Sequence, residues 1–136
     1  MFKKIKEKIR KIEDILIKNL PYTEEIEANQ CFQCANEIFK KTYEELKQRG
    51  EEQRINDQVD CCFKDDVDDD IIEVVFDLIM NYVHKYQSLP MYGMEFLIPD
   101  PIEDNTIVAI IDYVFPPEYS IDRILFSLNI EIEYRD

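Results

Sequence analysis

Apolar residues recur every three or four positions through the first two thirds of this chain and every second position through much of the last third. Phe2, Ile5, Ile9, Ile12 and Leu16 make one stripe with Lys and Arg on the other faces, so residues 3–19 are read as an amphipathic helix that Leu20-Pro21 ends. Residues 23–49 repeat the pattern through Ile26, Phe32, Ala35, Phe39 and Leu46. Thr23 is the expected N-cap, Glu24, Glu25 and Glu27 complement the helix start, and Gly50 is the expected C-cap. Ile55, Val59, Cys62 and Phe63 permit a short helix over residues 51–63. Residues 70–87 hold the broadest apolar face, with Ile72, Val75, Phe76, Ile79, Val83 and Tyr86 on it, and Pro90 and Gly93 close that helix.

The period then shortens. Residues 94–98 and 106–115 read as two strands of a hairpin around the loop 100–105, and the nearly continuous apolar run from Ile107 to Ile111 fits a central strand covered on both faces. Pro116-Pro117 breaks the second strand, residues 119–128 read as a short helix, and residues 129–134 as the last strand. There Ile130, Ile132 and Tyr134 alternate with Glu131 and Glu133, which gives one buried face and one wet acidic face. The expectation is an α+β fold in which an N-terminal layer of three to four helices packs on a small, mainly antiparallel three-stranded C-terminal sheet with one further short helix. At 136 residues, one domain over 1–136 is expected, with a semi-independent basic helix over residues 1–20 as one option.

Charge changes the picture more than composition does. The chain has 30 acidic and 16 basic side chains, a formal net charge of −14. Residues 1–19 hold seven of the basic groups and only three acidic ones, so this segment is +4 and the remainder −18. A surface of that sign repels phosphate backbones, which disfavours free nucleic acid, and attracts basic protein surfaces. The apolar stripe through residues 2–16 is a possible seam for a homo-oligomer, and the basic helix that carries it could instead lie on the acidic body of its own chain or touch a membrane surface. The apolar run after the basic start is too short for a secretory signal and no stretch is long enough to span a bilayer, so the expected location is the cytoplasm.

Candidate chemistry is sparse. Cys31 and Cys34 form a CxxC inside a helix, and Cys61-Cys62 are adjacent. Zinc needs four converging ligands and redox CxxC pairs sit at a helix N-terminus after a strand, so buried packing thiols are the favoured reading, with metal ligation left as the alternative. His84 is the only histidine and is read as stabilising the end of its helix rather than as a base. The run Asp65, Asp66, Asp68, Asp69 and Asp70 lacks the glycine and the ligand spacing of a calcium loop, and its plain role is to cap the helix that follows. There is no phosphate-binding glycine loop and no nucleophile signature, so no catalytic residue, metal or cofactor is expected.

In size and charge the chain is similar, in physical type only, to bacterial immunity proteins and nucleic-acid mimics. No motif carries the likeness. It implies an intracellular inhibitor that binds a basic protein, such as a nuclease toxin, through Asp65, Asp66, Asp68, Asp69 and Asp70, a second patch at Glu131 and Glu133, and the turn-flanking Tyr92 and Tyr119. The alternatives are an assembly protein that self-associates through its first helix, and an enzyme whose pocket the sequence does not advertise.

Overall fold

A computed structural model describes residues 24–99 and 105–135. The expected first helix, its apolar stripe, the Thr23 cap and most of the loop 100–105 lie outside the described residues. In chain order the elements are α1 (Glu24–Gln48), a 3-10 helix η1 (Glu52–Asp57), β1 (Val59–Phe63), α2 (Asp69–Tyr86), β2 (Glu95–Pro99), β3 (Thr106–Val114), β4 (Glu118–Tyr119) and β5 (Ile124–Arg135).

The sheet is larger than the sequence pattern predicts, and it is mixed. Its five strands run in the order β1-β5-β3-β2, with β4 also on β5; β1 lies parallel to β5, while β2, β3 and β4 pair antiparallel. Two expected helices are corrected. Residues 51–63 are a 3-10 turn followed by an edge strand, and residues 119–128 belong to β4 and the first part of β5. Both corrections have one cause. Val59, Cys61 and Phe63 alternate toward the core, as do Phe126, Leu128, Ile130 and Ile132, so period-two burial wins once each segment has a neighbour to pair with. Pro116-Pro117 interrupts the ladder between β3 and β4 but does not end the hairpin. The Phe115 amide still donates to the Ser127 carbonyl at 3.0 Å, and the chain reverses only at residues 120–123.

Both α-helices cover the same sheet face. Phe32, Phe39 and Leu46 of α1 and Val75, Ile79 and Val83 of α2 meet Ala109, Ile111, Phe126, Leu128 and Ile130 in one core. α1 ends where Gly50 adopts φ +71°, with the Gly50 amide on the Lys47 carbonyl and the Glu51 amide on the Leu46 carbonyl, which satisfies two of the last orphan carbonyls. Gln87, at φ 52°, ends α2.

A buried side chain holds the chain just after α2. Asn36 of α1 is 8% exposed; its Oδ1 accepts the Leu89 amide at 2.9 Å and its Nδ2 donates to Ser88 Oγ at 3.0 Å. Asn36→Leu removes both bonds and strands a buried N–H, so it is expected to lower stability by about 2–3 kcal/mol. A drop in the urea midpoint with an unchanged slope checks this.

Candidate functional site

The parallel pairing of β1 on β5 places Phe63 opposite Ile130. The next residue, Lys64, donates its amide to the Ile130 carbonyl at 3.1 Å, and its Nζ stands 2.8 Å from Asp112 Oδ2. Asp112 is available because β3 shifts register between Ile111 and Tyr113, where it is the extra residue of a bulge. The Asp112 hydrogen bond is the main reason the Lys64 ammonium is held above its ordinary pKa, and the fields of Asp112, Glu131 and Asp65 act in the same direction. Asp112 thus pairs with Lys64, and the charges of Glu131 and Asp65, from two other segments, act on the same cation. The Asp65–Asp70 run and the Glu131 patch, read from sequence as two regions, adjoin at Lys64.

From there the acidic character continues over the sheet face opposite α1 and α2. Alternation puts Asp60 of β1, Glu95 of β2, and Glu131 and Glu133 of β5 on that face. Ile110 separates Glu95 from Glu131, and Val108 pairs with both Leu97 and Glu133. Arg135 partly offsets the charge. Its guanidinium holds both oxygens of Glu95 at 3.1 and 3.0 Å and Glu133 Oε2 at 2.8 Å. That contact pulls the Glu95 carboxyl below its usual pKa and makes Glu133 less available to a partner than Glu131.

Asp65, Asp66, Asp68, Asp69 and Asp70 are all exposed, and none is in an ion pair with a described residue. The capping role is only partly realised. Asp68 occupies the N-cap position of α2, but the Ile71 and Ile72 amides go to its backbone carbonyl at 3.0 and 3.1 Å and its side chain makes no cap bond. Asp69 and Asp70 lie in the first turn, where the helix dipole favours them. Their carboxylates face solvent.

Beside this surface lies a cavity of about 470 Å³ where the first turns of α1 meet the β3 bulge. Glu24, Glu27 and Ala28 line it from α1, Asp112, Tyr113 and Phe115 from β3 and the residue after it, and Lys64, Tyr92 and Asn129 complete it. Tyr113 and Phe115 meet edge to face with ring centroids 5.1 Å apart, and the Tyr113 hydroxyl donates to Cys31 Sγ at 3.1 Å. Of the two tyrosines singled out by sequence, half-buried Tyr92 belongs to this cavity. Tyr119 does not line it; it is 66% exposed near the tip of the β4–β5 hairpin.

The sequence reading missed Glu24 as a lining residue, Glu95 and Asp112. For Glu95 the signal is its alternation with Phe96 and Ile98; for Asp112 it is a lone charge inside an apolar strand. Glu24 carries no such signal, because any helix start favours an acidic residue.

Of the four cysteines, expected to be buried thiols, Cys34 is buried, Cys31 and Cys61 are partly so and Cys62 is exposed. Cys61 faces the core, and burial, helped by Asp60 and Cys62, pushes its thiol up to about 12. Cys62 points the other way, is exposed, and donates weakly to Asp60 Oδ2 at 3.7 Å. Cys34 is buried, which raises its pKa, with Glu37 and Cys31 adding to the rise. Among the described residues no group of three or more His, Cys, Asp or Glu converges on a point that would hold a metal. His84 lies in the last turn of α2, with Nε2 2.6 Å from Asn56 Oδ1 and Nδ1 2.8 Å from the Tyr43 hydroxyl. The amide oxygen only accepts, so Nε2 donates and Nδ1 accepts from Tyr43. Both ring nitrogens are thus occupied in joining α1, α2 and η1.

Among the described residues, no helix is long and apolar enough to cross a membrane. No family model, curated protein or solved structure matches the chain.

Proposed function

We propose that this chain is an acidic protein-binding inhibitor that covers a basic surface of another protein, in the manner of an immunity protein neutralising a nuclease toxin or another protein built to hold phosphates. One observation carries the reading. The described residues hold 23 carboxylates against nine cations, and Asp65, Asp66, Asp68, Asp69 and Asp70 are all exposed. A tract of these carboxylates runs from the Asp65–Asp70 segment past Lys64 to Glu131 on the sheet face opposite the helices. A site shaped for phosphate oxygens is complementary to such a tract. On this reading the protein works in the cytoplasm, where its four free thiols suit a reducing compartment.

Exposed charges steer association and are screened by salt. Capture of a basic partner from the native host is therefore expected at about 0.1 M salt and lost toward 1 M, where the screening length falls from roughly 10 to 3 Å. Changing Asp65, Asp66, Asp68, Asp69 and Asp70 together to Asn is expected to slow association with that partner by about tenfold or more at low salt. The measurement is surface-immobilised binding kinetics across a salt series. A partner with an acidic or neutral binding surface, or an on-rate indifferent to both salt and the five substitutions, would sink the proposal.

A further inference from the structure

We infer that the sheet face opposite α1 and α2 is the docking surface for residues 3–19 of the same chain, an inference that goes beyond the partner reading and does not depend on it. The apolar run from Ile107 to Ile111 is the pattern of a strand covered on both faces, and α1 and α2 cover one. Val108 marks the need for a second cover. It alternates with Ala109, which packs in the core beneath the helices, so it belongs to the opposite face; it takes no part in that core, yet it is 0% exposed. Its cross-strand neighbours Leu97 and Glu133 shield the sides of its side chain but not the tip. Ile110, Glu131 and Glu133 on the same face are half-buried as well.

Residues 3–19 match that face in place, length, polarity and charge. The segment joins the described chain near Glu24, which lines a cavity with Tyr113, Phe115 and Asn129. Tyr113 pairs with Asn129, which lies between the core positions Leu128 and Ile130, so this junction stands at one end of the opposite face. Val108 is about 17 Å of strand away from Tyr113. The helix read from the sequence of residues 3–19 would be about 25 Å long, enough to reach past it. Its stripe of Ile5, Ile9, Ile12 and Leu16 suits Val108, Ile110 and Leu97, the last of them 62% exposed. Its charge of +4 suits a face that carries Asp60, Glu95, Glu131 and Glu133 against Lys64 and Arg135. A basic partner would then meet the Asp65–Asp70 run directly and reach Glu131 only by displacing this segment.

The test uses the full chain with carbon-13 methyl groups in Ile, Leu and Val. Nuclear Overhauser contacts are expected from the methyls of Ile5, Ile9, Ile12 or Leu16 to those of Leu97, Val108 and Ile110. No such contacts, or contacts to Val74 and Leu78 on α2 instead, overturn the docking. A sample mixing labelled and unlabelled chains, filtered for contacts between molecules, tests the second-copy alternative; the same contacts appearing there overturn docking within one chain. Trypsin gives an independent readout, because cleavage follows the population of the released segment. Cutting at Lys8, Arg10 and Lys11 is expected to be about tenfold faster in Ile9→Asp and in Leu97→Asp than in the parent. The two substitutions approach the contact from its opposite sides, and Leu97 is exposed enough to change without disturbing the core. Equal cleavage of the parent and both variants overturns the inference.

Discussion

Phe39→Ala is expected to destabilise the protein by about 3–5 kcal/mol, a large part of the roughly 5–15 kcal/mol that holds a typical domain together. Phe39 sits in the middle of α1, is fully buried, and meets the Phe126 ring of β5 edge to face with centroids 5.2 Å apart. It is the main aromatic link between the helical layer and the strand that carries Glu131 and Glu133. Truncation leaves a cavity lined by β5 side chains that the sheet, held by its neighbours on both sides, cannot close. The measurement is urea unfolding of Phe39→Ala, Phe126→Ala and the double variant. The coupling between the two sites is expected at about 0.5–1.5 kcal/mol, the usual value for an edge-to-face pair. A cost below about 1 kcal/mol for Phe39→Ala would mean that α1 does not pack on β5 as described. Tyr119→Ala, at an exposed position, serves as the control and is expected to stay within about 0.5 kcal/mol of the parent.

The second large effect is a loss of stability in alkali. Burial raises the Cys61 thiol from its usual 9.0 to about 12, and Asp60 and Cys62 push in the same direction. The thiolate is therefore more favourable in the unfolded chain than in the folded one. The stability tied to this group is fully present below pH 9 and is lost as the pH rises through about 12. The expected slope is about 1.4 kcal/mol per pH unit across that window, a total on the order of 4 kcal/mol. Cys34, Cys62 and Tyr43 are also raised, each chiefly by burial, and steepen the fall. Cys61→Val keeps the volume and removes the titration, so unfolding free energies between about pH 8 and pH 11 should decline less steeply in that variant. Equal slopes for the parent and Cys61→Val would show that the Cys61 thiol does not pack against the core. In the same window Cys61 should resist alkylation in the native protein, because little thiolate forms there.

The two long helices were legible because a 3.6-residue period sustained over many turns has one good reading. α1 and α2 fall close to residues 23–49 and 70–87, and Gly50 ends α1 as its position implied. β2 and β3 were legible from their alternation and their apolar run. Residues 51–63 and 119–128 were not, because each short window fits two periods. Ile55, Val59 and Phe63 are four apart, as in a helix, while Val59, Cys61 and Phe63 are two apart, as in a strand. Ile121, Leu125 and Leu128 offer a helical stripe, while Ile124, Phe126 and Leu128 offer a strand face. In the fold Ile121 is fully exposed and Phe126 fully buried, so the strand reading prevails. Propensity over so few residues is weak, and pairing with a neighbour decides.

The site divides along the same line. Local sequence determined the sign and amount of charge, the exposure of the Asp65–Asp70 run and the alternation of Glu131 and Glu133 with apolar residues, because each depends only on residue type and on period along one segment. Tertiary structure alone decided that these regions adjoin. A strand from the middle of the chain lies parallel to the last one, a bulge turns Asp112 toward Lys64, and the start of α1 closes a cavity against both. Such contacts join residues far apart in sequence, and their formation depends on which hydrophobic faces pack together, a property of the whole chain that no window of it contains.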